Sequence, residues 1–205
     1  MKLELFYDIE SAYSYLAFMC LDRYRARWSA VDLVLRPAFL GGVFKAVGNV
    51  PPITLAARAP YLVRDMGRLG GYFDVPVTIP NDFPGNSLTT MRFLTVVARE
   101  RPALLRDASR ALYLAHWGKG DPVDTPETIA RAWPAGADLV GHIGDQATKD
   151  ALKKSTDEVV ERGAFGFPAM FVTDDGGVDE MYFGSDRISL LAHEHKLPWD
   201  GPAPK

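Results

Sequence analysis

The sequence carries one cysteine, Cys20, in 205 residues. That count excludes an internal disulfide, a dithiol redox pair and a cysteine-rich metal site. Positive charge is also scarce: 23 Lys and Arg face 26 Asp and Glu, for a net charge of −3. No basic patch breaks this balance, so a nucleic-acid partner is not expected. No apolar run reaches the ~18 residues that a membrane-crossing helix requires. The G-x-G-x-x-G, P-loop and H-E-x-x-H patterns are missing too, and with them the signatures of dinucleotide, nucleotide-phosphate and zinc-hydrolase sites. The first residues already read as a strand, which leaves no visible secretory or Arg-rich leader. An intracellular, reducing setting is the expectation.

What is there has a globular composition, 47% hydrophobic and 24% charged, enough to bury a core without staples. MKLELFYD alternates, with Leu3, Leu5 and Tyr7 on one side, and predicts a strand. From Ala12 to Trp28 the period changes, placing Tyr13, Leu16, Cys20, Tyr24 and Trp28 on one helical face. Val31–Pro37 returns to strand character, so the chain opens β-α-β with a parallel pair and a right-handed crossover. The middle holds helical patterns at Thr54–Leu69, Ser87–Glu100, Pro102–Trp117 and Thr125–Trp133, separated by Gly/Pro breakers. A further helix is expected at Asp145–Arg162, capped by Gly163. A hairpin follows, with strands Pro168–Val172 and Val178–Phe183 about a turn at Asp174–Gly177, and a last helix at Ser185–His195. Asp174 and Asp175 read as solvated surface. The fold class is α/β: a thioredoxin-like sheet domain, β-α-β then α-β-β-α, formed by residues 1–39 and 145–205 and split by an all-helical insertion at 40–144.

In such a fold the junction of the first strand and helix carries the redox dithiol, because free N–H groups and the positive dipole end depress a thiol pKa. Here Ser11-Ala12-Tyr13-Ser14 keeps the C-x-x-C spacing without either sulfur. Cys20, about two helical turns further on, is expected in the core. Ser11 reads as an N-cap. A nucleophilic role lacks support, since no histidine flanks it. A third role is to donate to an anion held over the helix end. If that anion were a thiolate, the protein would activate a sulfur it does not own. A thiol of pKa about 8.5 is about 3% ionised at pH 7, and lowering it to about 6.5 takes about 2.7 kcal/mol. One hydrogen bond to a charged group supplies about 1.5–3 kcal/mol, and the helix end about 0.3–1.

Three further motifs carry candidate chemistry. In Gly163-Ala164-Phe165-Gly166-Phe167-Pro168-Ala169, Pro168 falls where thioredoxin-type folds place a cis-proline facing the first helix. Phe167 then offers its backbone to an extended peptide; a trans proline at a strand start is the other reading. In Phe183-Gly184-Ser185-Asp186-Arg187, Ser185 and Asp186 can simply cap the last helix. They can also bind an α-amino acid terminus, with Arg187 adding a charge-assisted contact. Gly48-Asn49-Val50-Pro51-Pro52 is turn chemistry, or, with Arg58, an amide and a guanidinium along a bound peptide.

Together LELFYDIESAYSYLAF, GNVPP, SLTTMRFL, GAFGFPAMFV and FGSDRISLLAH resemble the kappa-class glutathione transferases, from Lys2 to about Pro202. That class is related to the 2-hydroxychromene-2-carboxylate isomerases and, in fold, to bacterial disulfide oxidoreductases. The resemblance implies a homodimer that uses glutathione as co-substrate, needs no metal, and attacks small electrophiles such as aryl halides or hydroperoxides. It implies that Ser11 hydrogen-bonds the glutathione sulfur. Asn49 and Arg58 (commonly asparagine and lysine in the class) would lie along the tripeptide. Phe167, where leucine is frequent, would pair with its backbone beside Pro168. Ser185 and Asp186 would hold the γ-glutamyl end, and Arg187 would reach the partner subunit's ligand. Ser-Pro is frequent in the class where Ser11-Ala12 stands here. Mitochondrial or peroxisomal location follows from the class, although Ala-Pro-Lys is not a peroxisomal ending and the cytoplasm stays open. A glutathione-dependent isomerase and a non-catalytic binding module are the alternatives. With no thiol in the S-x-x-S site, the purified chain is expected to leave insulin disulfides intact unless a thiol is added. A turbidity assay checks this, and thiol-free reduction would contradict it.

Overall fold

A computed structural model describes residues 1–174, 176–177 and 179–204. Asp175 in the expected turn, Val178 at the expected start of the last strand, and Lys205 of the tail lie outside the described residues. Four strands form one sheet: β1 (Lys2–Tyr7), β2 (Asp32–Pro37), β3 (Ala169–Thr173) and β4 (Asp179–Phe183). Their order is β2-β1-β3-β4, with β1 parallel to β2 and antiparallel to β3, and β4 antiparallel to β3. The helices are α1 (Ala12–Tyr24), α2 (Leu40–Val47), α3 (Ala59–Phe73), α4 (Leu88–Glu100), α5 (Leu105–Tyr113), α6 (Pro126–Ala132), α7 (Gln146–Glu161) and α8 (Ile188–Glu194). The α/β architecture with helices between β2 and β3 is the one expected.

Local readings need correction where tertiary context overrides pattern. β1 is not half-exposed: it is one of the two inner strands, and its residues from Leu3 to Tyr7 are all buried. The single apolar face expected of α1 is also too narrow. Ala12, Ser14–Leu21 and Tyr24 are buried and only Tyr13, Asp22 and Arg23 are partly open, because sheet, helices and tail enclose it. α1 ends at Tyr24 rather than Trp28. Trp28 instead donates its indole N–H to the Pro198 carbonyl at 2.8 Å, and Tyr24 stacks on Trp199. Cys20 is fully buried and burial pushes its thiol up to about 12. The helix read at Pro102–Trp117 is three pieces, a 3-10 turn, α5 and a π turn at Leu114–Lys119. That read at Thr54–Leu69 is a 3-10 turn at Pro52–Thr54 followed by α3. The last helix likewise opens on a 3-10 turn, Ser185–Arg187.

α2 has no counterpart among the expected helices. Its glycines, Gly41 and Gly42, lower helix propensity, yet Gly42 is where the helix touches α7: a Cβ there would stand 2.9 Å from Thr156 Cγ2. The cap is also nonlocal. The Leu40 N–H donates to the Asp8 carboxylate at 2.7 Å, 32 residues away.

On the far sheet face Phe6, Phe167, Ala169, Phe171 and Val159 form a second small core. Glu4 is buried beside it and takes contacts from Lys2, Arg36 and Arg162. Burial pushes its carboxyl up, but the bonds from Lys2 and Arg162 and the Arg36 charge outweigh it and hold it below the usual carboxylate range. Arg162 also lies 3.9 Å over the Phe171 ring and bonds Asp179 on β4 at 2.8 Å. Removing one member of a buried pair leaves an uncompensated charge. Arg162→Gln is therefore expected to lower unfolding free energy by about 2–4 kcal/mol in a denaturant titration at neutral pH. Glu4 contributes its stability above its unfolded titration range and loses it as pH falls, so the deficit should shrink in acid.

Candidate active site

Ser11 occupies the turn between β1 and α1. Its backbone is extended (φ −87°, ψ 108°) and its hydroxyl accepts the Ser14 N–H at 3.1 Å, a side-chain N-cap. The same hydroxyl donates to the Phe167 carbonyl at 3.1 Å. Phe167–Pro168 is cis, as expected from its place in the chain. No acidic residue lies in the first turn of α1. The N–H groups of Ala12 and Tyr13 thus head a helix with no acidic side chain within its own first turn. Capping and hydrogen-bond donation are two uses of one oxygen.

Ser11 opens on a cavity of about 490 Å³ between the sheet and the segments after β2. Ala12, Tyr13 and Phe167 form the wall beside Ser11; Phe39, Phe44, Ile53, Leu62 and the Phe83–Ser87 loop enclose the rest. This size and apolar lining suit a small organic molecule. Asn49 lies on the rim, where its amide donates to the Phe165 carbonyl at 2.9 Å. Gly166 lets the Phe183 ring close the wall, since a Cβ there would sit 3.2 Å from it. A larger depression of about 820 Å³ lies along β2 and contains none of the expected site residues.

Ser11, Asn49 and Phe167 thus share one cavity. Pro168 is buried behind Phe167, and its carbonyl accepts the Gly184 N–H at 3.0 Å, which ties the Ser185–Arg187 turn to the same place. Gly184 is required there: its φ is +99°, and a Cβ would meet Asp186 Oδ1 at 2.5 Å. Ser185 is buried, while Asp186 and Arg187 are exposed and pair with each other at 3.4 Å. Burial pushes the Tyr13 phenol up, helped by the charges of Asp65 and Asp186. Asp186 therefore acts at the start of α1. Arg58 is exposed immediately before α3. Neither it nor Ser185, Asp186 and Arg187 lines the cavity.

The family profile for the DSBA-like thioredoxin domain matches residues 2–196. Glutathione S-transferase kappa 1 of Homo sapiens is 38% identical over 213 residues, covering 98% of this chain and 93% of that protein. This chain belongs to the kappa-class glutathione S-transferases. The kappa-class chain has more distant relatives among the 2-hydroxychromene-2-carboxylate isomerases, with 25% identity to that of Pseudomonas sp. (strain C18) over 92% of this chain and 87% of that one. The solved structure of such an isomerase superposes with a TM-score of 0.81 at 24% identity, covering 96% of this chain and 95% of that one, a likeness of fold.

Sequence reasoning missed two carboxylates that shape this kappa-class site. Asp8 is fully buried and accepts the Glu10 and Leu40 N–H groups and the Ser87 hydroxyl. Glu10 lines the cavity directly before Ser11. An acid directly after the apolar run Leu5-Phe6-Tyr7 was the available signal for Asp8; for Glu10 there was none beyond adjacency. Burial pushes the Asp8 carboxyl up to about 6, with the Glu10 charge adding to the rise and its three donors opposing it. A raised carboxyl favours the folded state below about pH 4, and that contribution is lost as pH rises through about 6. It amounts to about 3 kcal/mol. Asp8→Asn is expected to remove this slope: subtracting its pH–stability curve from that of the parent should leave a fall between pH 4 and 6, and a flat difference would reject the assignment.

Proposed function

We propose that the chain is a glutathione transferase in which Ser11 holds the glutathione thiol as a thiolate and the adjoining cavity receives a small electrophile, an aryl halide or a hydroperoxide. One observation carries this reading. The Ser11 hydroxyl stands at the head of α1, bonded to the Phe167 carbonyl, on the wall of an apolar cavity. A cysteinyl peptide lying extended beside Phe167 exchanges both partners of that bond. Its N–H takes the Phe167 carbonyl, and the freed hydroxyl turns its proton to the sulfur. The thiol proton leaves to solvent. That hydrogen bond and the helix end together stabilise the thiolate by about 2–4 kcal/mol. With an aryl halide its lone pair forms the C–S bond as the halide departs; with a hydroperoxide it attacks the outer oxygen as the O–O bond breaks and the alcohol leaves, and a second glutathione converts the resulting sulfenic acid to the disulfide and water.

The remaining assignments belong to the same proposal. Asn49 and Arg58 serve the glycyl side of the tripeptide, supported by the place of Asn49 on the rim. Ser185 and Asp186 hold the γ-glutamyl end, supported by the bond from Gly184 to Pro168. Arg187, exposed and outside the cavity, is assigned to the ligand of a second subunit in a homodimer. A mitochondrial or peroxisomal location rests on the class alone. The second reading, a glutathione-dependent isomerase, uses the same thiolate for reversible addition and is supported by the isomerase relatives.

Ser11→Ala is expected to lower turnover of chlorodinitrobenzene by about tenfold to a hundredfold. Glutathione affinity, read by calorimetry, should stay within a few-fold, and the short-wavelength ultraviolet absorbance of the bound thiolate should be lost at neutral pH. Loss of the cap lowers stability by about 1 kcal/mol, which a melting curve measures separately. Undiminished turnover would reject the thiolate role.

A further inference from the structure

We infer that Glu10 selects the electrophile by charge, admitting uncharged apolar molecules to the cavity beside Ser11 and rejecting carboxylates; this rests on the transferase reading above. The cavity walls are aromatic, aliphatic and proline side chains with a few small polar ones. Among its described lining residues the titratable groups are Glu10 and Tyr13, and there is no Lys, Arg or His. Glu10 immediately precedes Ser11, so a molecule meeting a sulfur over Ser11 does so beside this carboxylate.

Glu10 is hydrogen-bonded at one oxygen and faces a histidine with the other. The Gly85 N–H, from the loop that closes the cavity, donates to Oε1. Oε2 lies 3.3 Å from Nε2 of His116. His116 is buried in the π turn, its Nδ1 is 3.4 Å from the Asp121 carbonyl, and it does not line the cavity. The pair is therefore oriented: its acidic member faces the cavity and its basic member stands behind. Two more carboxylates reinforce the sign. Asp8 is buried close enough for the Glu10 charge to act on it. Asp82 lies at the same loop, where a Cβ on Gly85 would meet Asp82 Oδ2 at 3.5 Å and Glu10 Oε2 at 3.4 Å. An anionic substrate entering here gives up its water and gains a like-charged neighbour in a medium that screens poorly. This is selection by a repulsive element. It also separates the two readings of the site, because the isomerase relatives are named for a carboxylate substrate.

The test uses three chloronitrobenzenes of similar size carrying a methyl ester, a carboxylate or a quaternary ammonium group. Each enzymatic kcat/KM is divided by the rate of the uncatalysed reaction with glutathione. The expected order for the parent protein is ester and ammonium above carboxylate, the carboxylate being at least about tenfold poorer than the ester. Equal rejection of both ions would mean that burial of any charge sets the preference, and would overturn the assignment to Glu10. So would a carboxylate turned over as well as the ester. Glu10→Gln keeps an acceptor for the Gly85 N–H, and it should raise the carboxylate-to-ester ratio by about tenfold; an unmoved ratio also overturns the proposal. If none of the three probes is turned over while the parent protein is folded, the transferase reading itself has failed. The ammonium probe needs no variant, so the sign of the selection stays testable if Glu10→Gln does not fold.

Discussion

The carboxylate of Asp8 is the tie on which the site depends. It is sealed at the end of β1, where an ion is disfavoured, and three donors from separate parts of the chain converge on it. The Glu10 N–H sets the turn that delivers Ser11 to the head of α1. The Leu40 N–H starts α2, whose Phe44 is a cavity wall. The Ser87 hydroxyl anchors the beginning of α4 and one end of the Phe83–Ser87 loop. An apolar residue at position 8 would leave these donors buried and unpaired, at about 1–3 kcal/mol each. The charge is tolerated because it spreads over three hydrogen bonds.

From that tie the chemistry can be read as a division of labour between two carbonyl-and-hydroxyl partners and two acids. Ser11 and Phe167 satisfy one another when no ligand is bound. In the proposed function, binding is an exchange of partners at this bond. In the selection proposed above, Glu10 stands on the cavity wall and His116 lies behind it. The aromatic and proline walls supply adhesion without direction, and the polar groups supply the direction.

The β-α-β opening, the late hairpin and the serine at the helix start were legible because each rests on local information: period, turn residues and cap chemistry. Pro168 was legible for a different reason, its position relative to those elements. The features that escaped are all nonlocal. α2 is weak by propensity and exists because Asp8 caps it and α7 packs on it at Gly42. α1 is enclosed nearly all round because the sheet, the helical segments and the C-terminal tail meet on it, which no periodicity within the helix discloses. Glu10 and His116 are 106 positions apart, and only folding makes them a pair. Arg58, Ser185, Asp186 and Arg187 were singled out from turn and cap motifs and from the family resemblance, which do not fix direction in space; none of them is among the residues that line the cavity.

Cys20 gives the enclosure of α1 a further meaning. A protein built to bring soft electrophiles against sulfur exposes its own thiol to the same chemistry. Here that thiol has no accessible surface, and burial pushes its ionisation up to about 12, so almost none of it is nucleophilic at physiological pH. The fold thereby keeps its one thiol from self-alkylation while it handles the reagents that would cause it.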